Sequence, residues 1–527
     1  MTIRGGASRA HDRQPGGAGH AMVGAPPEAW SGVDRGSLAL VALIALAFVS
    51  MLPNLRSFEL TLEEPRRALV AYEMWFSGTY LQPTLLGEPY FNKPPLFNWL
   101  VIFASALFGW GGFAVRVVSL TFTALTALLV YLTAKRLIGD RNAGLLAALI
   151  YVAFADNLYH YGWIGEIDAT LTFFVFGTML CLWSAFETGK NRYLVLAGLN
   201  TGLTFLLKGF PAYAFFVLTL AALAVRYRRY RLPFTAASVA AYAASLAAPA
   251  AWILGTDAPS IYLHRLFFES LSRAAPSHGV GEVVLHLASY PLLTIKQLLP
   301  LSVVIPFLRW KEKPALVENV RGLLLMAGVN YAPYWLSVGS RGRYVLPLFP
   351  LAALAFAYLL HAAHERWKTL ALVLIAAAVV GRFGYGLVGF PWMMEKRGSL
   401  RVVGQDIARR LDGESRVGGA CAVYALVYYV NVNAGVRVTS ETALGDWRYL
   451  VSCEGARDGR LLAEYTTRRH TVFLYARRSA DFPRDPRGNP AGAPFRPVRG
   501  LGVVSSGGAG LTGGAWRWAT LRLEFPW

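Results

Sequence analysis

Leu62-Glu63-Glu64-Pro65-Arg66-Arg67 and Pro89-Tyr90-Phe91-Asn92-Lys93-Pro94-Pro95 follow the first long apolar run of the chain, 38–54. They therefore stand just outside a membrane span. A carboxylate pair, three cations and a Pro-Pro break are costly to keep beside lipid without a use. This pairing of an apolar run with a reactive loop points to an α-helical, membrane-embedded protein with chemistry at the membrane surface.

The rest of the composition agrees. Of 527 residues, 55% are hydrophobic and 16% charged, where a soluble chain carries about 25% charged residues. Apolar runs fall near 38–54, 112–134, 143–160, 168–186, 193–207, 210–225, 233–254, 288–308, 320–338, 344–361 and 369–388. Runs approaching about 20 residues cross a bilayer, and in lipid they must be helices. About eleven spans are expected. The pair 193–207 and 210–225, hinged at Gly209 and Pro211, reads as a helical hairpin of reduced depth.

A net charge of +20 invites a nucleic-acid reading, but much of the excess lies in short loops. With the N-terminus in the cytoplasm, Lys135-Arg136 and Arg141, Lys190 and Arg192, Arg226 to Arg231, Arg309 to Lys313, and Arg366 and Lys368 all fall inside, as orientation requires. Leu96–Trp110 is apolar but too short to span without inverting that pattern, so it is expected along the outer interface. Residues 1–36 read as a disordered cytoplasmic tail, 37–390 as the membrane domain, and 391–527 as a small extracytoplasmic α/β or α+β domain. That last region holds strand-like runs Val417–Tyr424, Tyr449–Cys453 and Thr471–Tyr475, with a polar helix Val403–Leu411. The outer side also receives a long first loop, 56–111, and a second, 255–287. Cys421 and Cys453 form a disulfide in an oxidising compartment or stay as two free thiols.

Several constellations face outward in this topology. At Glu63-Glu64, Pro65 favours a helix start. Neighbouring side chains then diverge by about 100°. One acid can face a cavity as a general base while the other caps the helix or pairs with Arg66 or Arg67. Lys93, between Tyr90 and Pro94, can hold a phosphate as a point charge or anchor the loop at the interface. Glu166 and Asp168 stand at the outer end of a span, where acids tend to face a cavity. Lys208 lies between two apolar runs with no acid nearby in sequence, so a lipid phosphate or snorkelling would satisfy it. The second loop offers His264, Arg265, Glu269, Arg273, His278 and His286, in a spacing that fits no defined zinc pattern. Arg341 and Arg343 stand at an outer mouth against the positive-inside bias, where arginine suits a phosphate. A carboxylate near several such cations is the kit for transfer from a phosphate-linked lipid donor. Two or three of the second-loop residues could bind a divalent metal, but no ligands are assigned to one.

Through these residues the chain resembles, over roughly 38–390, the membrane glycosyltransferases of the GT-C fold. The group concerned contains the aminoarabinose transferases of lipid A and the protein mannosyltransferases (glycosyltransferase families 39 and 83). The matching motifs are Glu63-Glu64-Pro65-Arg66-Arg67, Ser77-Gly78-Thr79-Tyr80, Tyr90-Phe91-Asn92-Lys93-Pro94-Pro95, Lys208-Gly209-Phe210-Pro211 and Arg343-Tyr344-Val345-Leu346-Pro347. The resemblance implies a sugar transferase that uses a polyprenyl-phosphate donor on the periplasmic face of an inner membrane. An envelope glycan, lipid A, protein or other lipid would be its acceptor. It puts the general base on Glu63, with Glu64 and Asp168 supporting, and donor-phosphate contacts on Lys93, Lys208, Arg273, Arg341 and Arg343. Arg66, Arg67, Tyr90, Asn92, Glu166, Glu269 and His278 would line the cavity. The family's motif tyrosine is Arg67 here, and the glutamate before its lysine is Asn92, which argues against a bound metal. The rival class is a transporter or flippase of lipid-linked sugars, which acids within spans would also suit.

Overall fold

The computed structural model describes residues 34–271, 279–309, 318–455 and 457–477. Arg273, His278, the tail up to Val33 and the Gly/Pro-rich stretch after Arg477 lie outside the described residues.

Every apolar run forms helix over much of its length. Among the described residues, five helical stretches are by length and composition able to cross a membrane alone: Gly112–Ile138, Ile167–Thr188, Ala236–Leu254, Gly342–Ala362 and Glu365–Met393. A sixth arises if Val280–Gln297 and Leu301–Phe307, bent by 110°, form one broken span. Three further runs of the expected eleven form shorter apolar helices, Arg35–Met51, Arg141–Ala153 and Pro211–Arg226. Arg141–Ala153 stops because Phe154 leaves the helical region, and a π-turn, Asn157–Tyr161, follows. Leu96–Phe108 is also a short apolar helix.

The hairpin at Gly209 is present, with helices Asn191–Lys208 and Pro211–Arg226 and Gly209 at φ +77°. Its first helix packs backbone to backbone on Ala236–Leu254. A Cβ on Gly198 would lie 2.0 Å from the Ala241 carbonyl oxygen, and one on Gly202 would lie 2.9 Å from that of Ser245. Small residues four apart are what let apolar helices approach this closely. The contact fixes the helix whose last residue is Lys208.

Loop one is built on the helix Glu64–Ser77 and a small hairpin, Thr84–Leu85 (β1) with Glu88–Pro89 (β2). The hairpin turn is held by Glu73, whose buried carboxylate accepts the Leu86 and Gly87 amides at 2.7 and 3.0 Å and the Thr84 hydroxyl at 2.8 Å. Burial pushes the Glu73 carboxyl up, and those three donors pull it back.

Beyond Gly398 the chain forms a mixed sheet of five strands: Val417–Ala420 (β3), Thr439–Ser440 (β4), Tyr449–Ser452 (β5), Arg460–Thr466 (β6) and Thr471–Ala476 (β7). The order is β4-β3-β5-β7-β6, with β3 parallel to both neighbours and the β5–β7 and β7–β6 pairs antiparallel. Cys421 and Cys453, which follow β3 and β5, are disulfide-bonded. Helices Leu400–Arg410 and Tyr424–Ala434 pack together, and the second packs on the loop-one helix. The Leu60 amide donates to the Tyr429 hydroxyl at 3.0 Å, Tyr72 donates to the Asn431 carbonyl at 2.9 Å, and the Ser440 amide donates to the Leu86 carbonyl at 2.7 Å. Loop one is thereby clamped between membrane helices and the C-terminal sheet region.

Candidate active site

Leu62 adopts φ +56°, a left-handed turn that brings Glu63 to the N-cap position of the loop-one helix. The two acids then separate. Glu64 is fully buried and saturated. Its carboxylate receives Arg116 through two bonds of 2.8 Å, the Thr61 amide at 3.0 Å and the Gly165 amide at 2.7 Å. Arg116, also fully buried, donates further to the carbonyls of Phe58 and Glu59 at 2.8 and 2.9 Å. In this geometry Glu64 is the internal counter-ion of an arginine that gathers the loop's carbonyls. Sequence reading passed over Arg116, although a lone arginine near the end of an apolar run demands an acid.

Glu63 keeps a partly exposed carboxylate, 2.6 Å from Arg66 Nη1 and 3.7 Å from Arg67 Nη2. Arg67 is buried and also reaches the Tyr90 hydroxyl at 3.4 Å. Arg66 lies over the Tyr424 ring, 5.2 Å from its centroid. The helix thus supplies both readings of the sequence: an acid paired with its own arginines that still faces a cavity.

The second cluster comes from three separated segments. Glu166, just before the span Ile167–Thr188, binds Arg343 at 2.6 Å, and its other oxygen accepts the Glu63 amide at 3.5 Å. Asp168 holds Lys208 at 2.7 Å and lies 4.0 Å from Arg343. Lys208 therefore finds its anion on a neighbouring helix, not only in a lipid. Its Nζ sits 4.9 Å from the centre of the Tyr344 ring. Arg343 retains a buried Nε without a hydrogen-bond partner. Burial, and then the Asp168 carboxylate, push the Glu166 carboxyl up, while Arg343 holds it down.

Two cavities flank this cluster. One, of about 380 Å³, is mainly apolar, with Leu171, Phe210, Phe215, Leu266 and Tyr334 in its wall and Lys93, Lys208 and Glu269 as its charges. Lys93 and Glu269 are ion-paired within it. The other, of about 440 Å³, is polar and holds Glu63, Asp156, His160, Glu166, Lys296, Gln297, Arg341 and Arg343. Ser340 and Tyr344 face the first, and Arg341, Gly342 and Arg343 the second. A third cleft, about 330 Å³, opens from Leu62 toward Tyr424, Arg469 and His470 of the sheet region.

The sequence-predicted residues Glu63, Arg66, Arg67, Tyr90, Glu166, Asp168, Lys208, Arg341 and Arg343 thus lie in or beside one charged centre. Lys93 and Glu269 lie across the apolar cavity. Asn92 is set apart from both cavity walls, its side-chain oxygen 3.5 Å from Arg265 Nε. Tyr344, Asp156, Gln297 and His160 line the cavities unanticipated.

Comparison with known proteins agrees with this architecture. A profile described as dolichyl-phosphate-mannose-protein mannosyltransferase matches residues 92–253. An undecaprenyl phosphate-alpha-4-amino-4-deoxy-L-arabinose arabinosyl transferase of Pseudomonas aeruginosa is 33% identical over 306 residues, 55% of this chain and 54% of that relative. The same-named protein of Edwardsiella ictaluri is 29% identical over 380 residues, 68% of this chain and 66% of that one. The chain thus spans about half the length of the Pseudomonas relative it matches. The crystal structure of ArnT from Cupriavidus metallidurans bound to undecaprenyl phosphate superposes with a TM-score of 0.64 at 16% identity, over 83% of this chain and 97% of that one. Its apo form gives 0.62. The fold is that of the GT-C membrane glycosyltransferases, and the protein is a multi-pass membrane protein. Within that fold the chain is similar to the aminoarabinose transferases and, over residues 92–253, to the protein mannosyltransferases.

Proposed function

We propose that this chain is a glycosyltransferase that moves a sugar from a polyprenyl-phosphate carrier to an envelope acceptor. It would work on the periplasmic side of an inner membrane, the side that the positive-inside pattern assigns to loop one. The observation that carries the reading is the cation-bearing junction between an apolar and a polar cavity, with a partly exposed carboxylate on the polar side. The prenyl chain lies in the apolar cavity. Its phosphate sits at the junction, against Lys208 and the open Nε of Arg343, with Lys93 on the far wall.

In the reaction the bond between the anomeric carbon and the phosphate oxygen breaks, and one forms from that carbon to an acceptor oxygen. The electron pair leaves with the phosphate, whose charge Lys208 and Arg343 stabilise. The acceptor hydroxyl's proton passes to Glu63. Arg66 and Arg67 orient that carboxylate, and Asp168 and Glu166 keep the two cations in position. The cleft beyond Leu62, with Arg469 and His470, offers the acceptor its approach.

Purified protein mixed with polyprenyl-phosphate-linked sugars and an envelope lipid extract is expected to release polyprenyl phosphate and to label an acceptor. Failure to bind polyprenyl phosphate or to use any donor, together with movement of labelled lipid across liposomes, would replace this reading by a flippase.

A further inference from the structure

The polar cavity holds one carboxylate that the mechanism above leaves unused. Glu63 and Glu166 in the same cavity are each tied to arginine. Asp156 instead accepts a short hydrogen bond from the side-chain amide of Gln297. Gln297 is 3% exposed, and its amide oxygen is buried without a hydrogen-bond partner. Both residues line the cavity.

The fold holds this pair in register. Asp156 lies between the helix ending at Ala153 and the π-turn that begins at Asn157. Gln297 is the last residue of the helix Val280–Gln297. The backbones of the two segments are joined where the Ala155 amide donates to the Leu299 carbonyl at 2.8 Å. Gly342 closes the third side. A Cβ there would lie 2.8 Å from Gln297 Nε2 and 2.9 Å from Leu293 Cδ2, so the amide occupies space that any other residue would contest.

The hydrogen-bond inventory has a direction. The Gln297 NH₂ is engaged by Asp156, which leaves the amide oxygen and the second carboxylate oxygen as neighbouring acceptors. An unmet buried acceptor is costly and calls for an explanation. The missing groups are donors. A cavity of about 440 Å³ falls within the size range of small-molecule sites, roughly 300–1,000 Å³.

Resting on the glycosyltransferase reading, we infer that Asp156 and Gln297 form the sugar-reading pair of this site. They accept hydrogen bonds from a vicinal diol or an ammonium group on the donor's sugar, and so determine which donor is used. They act on binding, apart from the proton transfer at Glu63.

The test compares wild type, Asp156→Asn, Gln297→Leu and the milder Gly342→Ala. The probes are bare polyprenyl phosphate and a panel of polyprenyl-phosphate-linked sugars: a neutral hexose, its deoxy analogues and an amino sugar. For the preferred donor, Asp156→Asn and Gln297→Leu are expected to raise KM by about 10–100-fold, the value of a hydrogen bond to a charged group. Affinity for bare polyprenyl phosphate should stay within about twofold in the same comparison. Asp156→Asn should also erase discrimination, between amino and neutral sugars if an ammonium is read, or between the hexose and a deoxy analogue if a diol is read. Gly342→Ala should give the same ranking at smaller amplitude, which keeps the test open if the larger changes unfold the protein. An unchanged ranking of sugars, or an equal loss of bare polyprenyl phosphate, overturns the assignment while the glycosyltransferase reading stands. Wild type that binds no polyprenyl phosphate and uses no donor overturns both.

Discussion

The two cavities that flank Arg343 and Tyr344 differ in nearly every physical respect. The first is walled by Leu171, Phe210, Phe215, Leu266 and Tyr334 and suits a chain that gains by leaving water, at about 25 cal/mol per Å² of apolar surface. The second carries three carboxylates, three cations and an amide and suits a molecule that must replace each bond it had with water. A lipid-linked sugar has one part of each kind, joined by a phosphate. The Lys208–Asp168 and Arg343–Glu166 pairs stand where such a phosphate would pass from one cavity to the other. The difference fits the proposed substrate: solvation sorts its two parts, and charge in the apolar cavity is confined to Lys93, Lys208 and Glu269.

The comparison is broken most severely on the polar side. Glu63→Gln keeps the shape of the site and removes its base, so kcat is expected to fall by about 10²–10⁴-fold. Binding of bare polyprenyl phosphate, which depends on the other cavity, should be retained. Steady-state kinetics beside a lipid-binding assay would check both, and full turnover by the variant would remove Glu63 from the mechanism.

Next in size is the support that both cavities share. Glu64→Gln or Arg116→Met leaves one member of a fully buried ion pair uncompensated, which costs about 3–5 kcal/mol. The expected result is a lower thermal midpoint and poor recovery in detergent. An inactive Glu64→Gln protein with wild-type stability would instead return Glu64 to the chemistry.

These two adjacent glutamates also mark how far the sequence could be read. Their divergence on a helix start was legible, but which one faces the cavity was not, because the deciding partners, Arg116 and Gly165, come from other segments. Helices were legible because lipid forces apolar runs to satisfy their own backbone. Their usable lengths were less so: hydrophobicity runs through the break at Phe154 and the bend after Gln297. In the sheet region, strands β3, β5 and β7 stood near their expected places. Tyr424–Ala434, rich in Val and Tyr, is nevertheless a helix, buried against loop one. There, tertiary packing overrides local preference. The pair Asp156–Gln297 spans 141 positions, and neither residue stands in a patterned context, so only the folded chain brings them together.

The smallest effect expected here falls on the apolar side of the seam. Lys208 touches Asp168 at 2.7 Å and faces the cavity assigned to the prenyl chain. Lys208→Met keeps the length of the side chain and removes its charge. A hydrogen bond to a charged group contributes about 1.5–3 kcal/mol, so the affinity for bare polyprenyl phosphate should weaken by about 10–100-fold. At saturating donor, kcat should fall as well, since Lys208 also stabilises the charge that develops on the leaving phosphate, with Glu63 and Arg343 still in place. Lys208→Arg should recover part of the affinity: the charge returns, but a planar fork replaces a compact ammonium beside Tyr344. Asp168→Asn supplies the complementary arm. It frees Lys208 from its internal partner, so bare polyprenyl phosphate should bind at least as tightly as in wild type. Should Lys208→Met bind the lipid phosphate as wild type does, the seam between the cavities would lose its role as the phosphate site.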